Sequence, residues 1–218
     1  AAFYGREDVA ALLDEGKVPL GLDLETVEPV TWDLKKGNLL YLTDKEEQMT
    51  QFVKQIACSK QKVIVLAPAY NELPEMEGVT ILSTKEDYVA GIKKMEENIQ
   101  LRLEQQKSQH EATIVLYNQL ELMNDLSMDL QSSLNYVLEK GARAGYATVA
   151  MSGSQLNRKI DEVSKSIKLY KQAIVAMRIT DQSVLNVINR PVREEPLDSQ
   201  VNYYVEDGFV RKVKVLMK

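Results

Sequence analysis

Apolar residues fall along this chain in two kinds of block. Short, nearly unbroken apolar runs alternate with longer stretches in which apolar positions recur every third or fourth residue. The first kind has the length of a buried strand, the second the period of a helix with one buried face. Val18 to Leu22, Pro29 to Leu34, Asn38 to Thr43, Lys62 to Ala67, Val79 to Leu82, Thr113 to Tyr117, Tyr146 to Met151 and Ala173 to Ile179 read as strands. Helical spacing predicts helices over Glu7 to Gly16 and after Thr43, where Met49, Phe52, Val53 and Ile56 share a face. It predicts others over Thr84 to Lys107, Asn124 to Leu138 with Gly141 as the stop, and Leu156 to Ile167. Asp181 is placed to cap a short helix through Ile188. Thr43 and Glu46 have the spacing of a capping box. Pro191 to Ser199 reads as a loop, and Asp207-Gly208 between two apolar segments signals a closing hairpin.

Strands alternating with helices predict an α/β domain with a largely parallel sheet. The 218 residues suit one domain of this kind, spanning 1–218. Acids outnumber Lys and Arg by 32 to 27, so the basic excess of a nucleic-acid binder is missing. No stretch approaches the ~20 apolar residues that cross a bilayer. One cysteine, Cys58, forbids an internal disulfide, and one histidine, His110, forbids a multi-histidine metal site. His110 is expected in an exposed loop, Cys58 as a small buried or half-buried hydrophobe, and Glu194-Glu195 as solvated surface. The first residues, Ala1-Ala2-Phe3-Tyr4-Gly5, lack a signal peptide's basic and apolar regions. They read as the interior of a longer polypeptide, so an excised domain is expected.

Ligands of parallel sheets bind where strand carboxyl ends meet helix N-termini. The junction after Leu42 is the first such place. A phosphate loop there has the form G-x-x-x-x-G-K-[ST], with glycines for backbone approach and a lysine for charge. This chain reads Thr43-Asp44-Lys45-Glu46-Glu47-Gln48-Met49-Thr50 instead. The second place is the end of Thr113 to Tyr117. A P-loop ATPase ends this strand in acids that hold magnesium and orient water. Here stand Tyr117 and Asn118, and neither is a carboxylate.

Several segments, in order, resemble the FtsK/SpoIIIE family of P-loop ATPases. They are Val18-Pro19-Leu20-Gly21-Leu22-Asp23, Asn38-Leu39-Leu40-Tyr41-Leu42, Gly141-Ala142-Arg143-Ala144-Gly145-Tyr146 with the strand after it, and Asp181-Gln182-Ser183-Val184-Leu185. The resemblance implies a RecA-like P-loop NTPase fold, a three-layer sandwich with a mainly parallel central sheet and a C-terminal β-hairpin. It places Thr43 and Gln48 at the loop glycines, Met49 at the lysine, and Thr50 at the retained hydroxyl. Tyr117 and Asn118 fall on the two acids. These six form a vestigial nucleotide site, at which binding of ATP and Mg is not expected.

A degenerate module of this type resembles the C-terminal ATPase-like domain of type VII secretion coupling proteins. That resemblance implies a catalytically inactive module that recognises substrate or regulates active modules, at the cytoplasmic face of a bacterial membrane. The implied partners are helical secreted proteins of the WXG100 type and preceding ATPase modules of the same chain, with no nucleic acid and no metal. Candidate docking residues are Met95, Ile99, Leu103, Met123, Leu126 and Met128, since Met-rich helical surfaces accept varied helices. The same spacing also describes a core face. Two other readings stand beside this one: a nucleotide-binding module with an atypical loop, and a purely structural oligomerisation module.

Overall fold

A computed structural model describes residues 7, 11–12, 16–59 and 61–215. The helix expected over Glu7 to Gly16 lies largely outside them. Ten strands form one sheet among the described residues: β1 (Lys17–Asp23), β2 (Pro29–Asp33), β3 (Leu39–Leu42), β4 (Val63–Leu66), β5 (Val79–Leu82), β6 (Ala112–Leu116), β7 (Tyr146–Ser152), β8 (Gln172–Val175), β9 (Val201–Glu206) and β10 (Phe209–Lys214). Their spatial order is β2-β1-β10-β9-β8-β3-β7-β6-β4-β5. The six strands from β8 to β5 run parallel. The C-terminal hairpin β9–β10 and then β1 and β2 extend the sheet antiparallel.

The helices that lie wholly within the described residues are α1 (Glu46–Ala57), α2 (Lys85–Glu104), α3 (Gln119–Asp125), α4 (Met128–Gly141) and α5 (Glu162–Ile167). α1 buries Met49, Phe52, Val53 and Ile56 on one face of the sheet, against Tyr41, Val65, Val115 and Val149. The stripes of α2 and α4, with Val163 and Ile167 of α5, cover the other face. The result is three layers. Strands buried on both faces explain the continuous apolar runs of β3, β6 and β7. The hairpin turn puts Asp207 and Gly208 at φ 50° and 86°, the left-handed pair that a two-residue turn requires.

The structure corrects several local expectations. No capping box forms at Thr43: the N-cap is Lys45, which makes no side-chain cap bond. The single helix expected from Asn124 is two helices, because Leu126 is extended and Ser127 starts α4 anew, its hydroxyl accepting from Leu130 N. Gly141 is helical, packed where a Cβ would stand 3.1 Å from Tyr146 Cβ. The stop is Gly145, at φ 87°. Leu156 to Ile167 divides into a 3-10 turn and α5, which Asp161 caps through Ser164 N. The strand from Ala173 ends at Val175, and Ile179–Asp181 is a 3-10 turn. Asp181 pairs with Arg178 rather than capping a helix. Cys58 is exposed, since it lies just past the end of α1. The Glu194 carboxylate is no idle surface charge: it accepts from Ile179 N, Thr180 N and the Tyr203 hydroxyl.

Candidate functional site

The carboxyl ends of β3 and β6 lie on either side of β7, and both face the start of α1. The chain therefore brings the residues expected at a nucleotide site to one junction. Thr43 is fully buried. Its hydroxyl accepts from Lys45 N at 3.1 Å and donates to Gln48 Oε1. The Thr43 N–H goes to Ser152 O at 2.9 Å, and the Gln48 N–H to Lys45 O at 3.1 Å. Three backbone donors of the segment, those of Thr43, Lys45 and Gln48, are thus taken by the protein itself rather than turned toward a ligand. Met49 points into the core beside Phe52 and Val53.

From β6, the Tyr117 side chain is fully buried and shares a hydrogen bond of 2.8 Å with the Thr50 hydroxyl. It also donates to Glu46 O at 3.4 Å. Burial pushes the Tyr117 phenol above its ordinary pKa, Thr50 opposes this, and Glu46 adds to it. The phenol is therefore neutral near pH 7. Asn118 sits at φ 50° ahead of α3, a left-handed conformation that asparagine tolerates. Its amide donates to Asn71 Oδ1 and to the Tyr70 hydroxyl, both at 3.2 Å. Asn71 in turn donates to Glu46 Oε1 at 2.7 Å. The Asp44 carboxylate holds Ser154 through N at 2.9 Å and Oγ at 2.8 Å. A close approach of Gly153 permits this, as a Cβ there would lie 2.6 Å from Asp44 Oδ1. A phosphate entering the junction would meet two carboxylates and a neutral phenol.

The six candidate docking residues do not form one surface. Met95, Ile99, Met123 and Leu126 are buried in the core between α2, α4 and the sheet, with half-buried Leu103 packed against it. Their spacing is that of the helices' inner faces. Met128 alone of the six is exposed, at 76%.

A groove of about 650 Å³ does open beside α2. The β4–β5 connection carries no helix, so α2 alone covers that end of the sheet on its face. Ile64 and Leu82 from the sheet and Ala90, Gly91, Met95 and Leu101 from α2 line it, with Lys62, Lys94, Asp87 and Glu97 among the charged groups around them. From Asp87 to Leu101 the groove spans roughly 21 Å of helix. Sequence reasoning found Met95 here and missed the rest. Two signals pointed to it: a glycine in mid-helix at 91, and Leu101 on a polar face.

The architecture and this junction define the class: a RecA-like ATPase fold, with phenol and amide side chains at the ends that carry acids in P-loop ATPases. No protein-family model matches the chain. It is homologous to a segment of the type VII secretion proteins EssC and YukB. It is 25% identical over 212 residues to EssC of Staphylococcus aureus (strain MRSA252), covering 93% of this chain and 14% of that protein. It is 26% identical over 221 residues to YukB of Bacillus subtilis (strain 168), covering 91% of this chain and 15% of that protein. The chain thus spans about a seventh of the curated relatives it matches. The solved EssC ATPases 2 and 3 of Geobacillus thermodenitrificans superpose with a TM-score of 0.82 at 18% identity, over 92% of this chain and 41% of that one. The EccC ATPases 2 and 3 of Thermomonospora curvata, in complex with a signal sequence peptide, superpose with a TM-score of 0.71 at 14% identity, over 95% and 42%.

Proposed function

We propose that this chain is a catalytically inactive ATPase-like module of a type VII secretion coupling protein. It docks a helical export signal of a WXG100-type substrate and acts beside active ATPase modules of the same polypeptide, at the cytoplasmic face of the membrane. The observation that carries the inactive reading is the closed junction. Tyr117 fills it against Thr50, Met49 stands in the core in place of a phosphate lysine, and the N–H groups of Thr43, Lys45 and Gln48 are engaged within the protein. The groove along α2 supports docking. It has an apolar floor, a charged rim and the length of a short amphipathic helix. The signal sequence peptide in the complex of the similar EccC protein supports a peptide as the occupant.

Calorimetry tests both halves. Titration with ATP and Mg is expected to give no binding heat, and micromolar binding would overturn the inactive reading. Titration with synthetic peptides copied from the C-termini of WXG100-type substrates is expected to show binding that Leu101→Asp abolishes. Binding that survives Leu101→Asp would remove the groove as the site.

A further inference from the structure

The vestigial junction and the groove are joined by the β4–β5 loop, residues 67–78. This loop is twelve residues without regular structure, yet its first part is held at several points. Ala67 O accepts from the Tyr88 hydroxyl of α2 at 2.5 Å. The Ala69 N–H goes to Asp125 Oδ2 at the end of α3, at 3.0 Å. Asn71 is buried and sits between Asn118 and Glu46. The exposed Tyr70 takes the other hydrogen of the Asn118 amide. Ala67 N donates to Leu82 O, so the loop also meets the end of β5 that it leads into.

Asn118 and Glu46 belong to the junction, Leu82 to the groove wall, Tyr88 to the core face of the helix that forms the other wall, and Asp125 to the end of α3. Tyr88 lies on α2 one turn before Ile92, and Leu82 lines the groove. Leu82 packs so closely on α2 that a Cβ on Gly91 would fall 2.4 Å from Leu82 Cδ1. β5 is the last strand of the sheet and has β4 as its one neighbouring strand among the described residues, with Leu82 O and Val79 N bonded to the loop itself. A strand paired on one side depends on its flanking loop for position more than a central strand does.

We propose that Asn118 and Asn71, standing at the former nucleotide junction, are positioning residues for the groove. They fix the 67–71 segment, and with it β5 and Leu82, against α2. A nucleotide-reading junction has thereby become a rigid clamp for the docking surface. This rests on the reading of the groove as the docking site, but the clamp can be tested without a ligand.

Hydrogen exchange on the whole chain reads it directly. Asn118→Gly removes the amide while glycine suits the φ of 50°. Asn71→Ala removes the other half of the pair. Asn189→Ala is the control: it deletes two hydrogen bonds to Val210 on the far side of the molecule. The two junction variants are expected to speed exchange of the amides of Ala67, Ala69, Tyr70, Asn71 and residues 79–82 about tenfold, with the control unchanged there. Faster exchange at 67–71 with 79–82 unchanged would overturn the proposal, because the clamp would then stop at the loop. Equal loosening in the control would overturn it as well. The same WXG100-derived peptides are expected to bind Asn118→Gly about tenfold more weakly than the parent chain. If the parent binds none of them, the docking reading falls, and exchange alone decides whether the clamp exists.

Discussion

At the scale of single residues, the junction at the ends of β3 and β6 is filled by ordinary side chains. Tyr117 does most of this. Its ring fills the space at the end of β6, and its hydroxyl ties β6 to α1 through Thr50. Tyr117→Phe keeps the ring and removes that tie, together with the long contact of 3.4 Å to Glu46 O that shares the same proton. The variant should lose about 1 kcal/mol of stability, the usual net value of one hydrogen bond, with part of the loss arising from the Thr50 hydroxyl left without its phenol. Thr50 still donates to Glu46 O at 3.3 Å, which limits the loss. Urea unfolding checks this, and a loss above about 3 kcal/mol would mean that the phenol holds more than one bond's worth of structure. Opening the site this way is not expected to create ATP affinity. Met49 still lies in the core and supplies no charge, and Asp44 and Glu46 stay in place.

At the scale of elements, α2 serves two surfaces at once. Its inner stripe of Tyr88, Ile92, Met95 and Ile99 builds the core, and its flank of Ala90, Gly91, Lys94 and Leu101 lines the groove. Gly91 is where the two meet. Gly91→Ala gains up to about 1 kcal/mol of helix propensity. Its new methyl must displace the Leu82 side chain, a flexible end that can turn toward the groove. Net stability should change little while affinity for substrate peptides falls several-fold, as calorimetry and thermal melts can show together. Unchanged affinity would mean that Leu82 moves elsewhere. The inner stripe was legible in the sequence because period 3.6 marks burial. The groove was not, because it is defined by a helix that the β4–β5 connection lacks, and a missing element leaves no periodic signal. The break between α3 and α4 was hidden for a related reason. Leu126 continues the apolar pattern across it, and only Ser127 marks the restart. The six junction residues were legible through family order alone. Their mutual contacts depend on β3 and β6 flanking β7, a long-range pairing that no local pattern records.

At the scale of the whole molecule, tyrosines tie the layers together, and this makes stability sensitive to alkali. Tyr41 stacks on Phe52 between the sheet and α1, with ring centroids 4.6 Å apart. Tyr88 joins α2 to the end of β4, and Tyr204 donates to Gln172 between β9 and β8. Burial is the main cause of the shift in each case. It pushes the Tyr88 and Tyr203 phenols up to about 12 and those of Tyr41, Tyr170 and Tyr204 higher still. An unfolded tyrosine titrates near 10. Between these values the folded chain holds protons that the unfolded chain has lost, so unfolding free energy must fall as pH rises. The phenol contribution is complete below about pH 10 and drains away through pH 12 and beyond. Thermal melts are therefore expected to be flat in this contribution from pH 8 to about 9.5 and to drop steeply above 10. Phenolate absorbance from these buried rings should rise together with unfolding, over a smaller component from the exposed Tyr70 that ionises in the folded chain. Phenolate beyond what the exposed Tyr70 supplies, in a chain that still melts cooperatively at its neutral-pH temperature, would show that these rings reach solvent without opening the layers. The three-layer packing would then not be what holds them neutral.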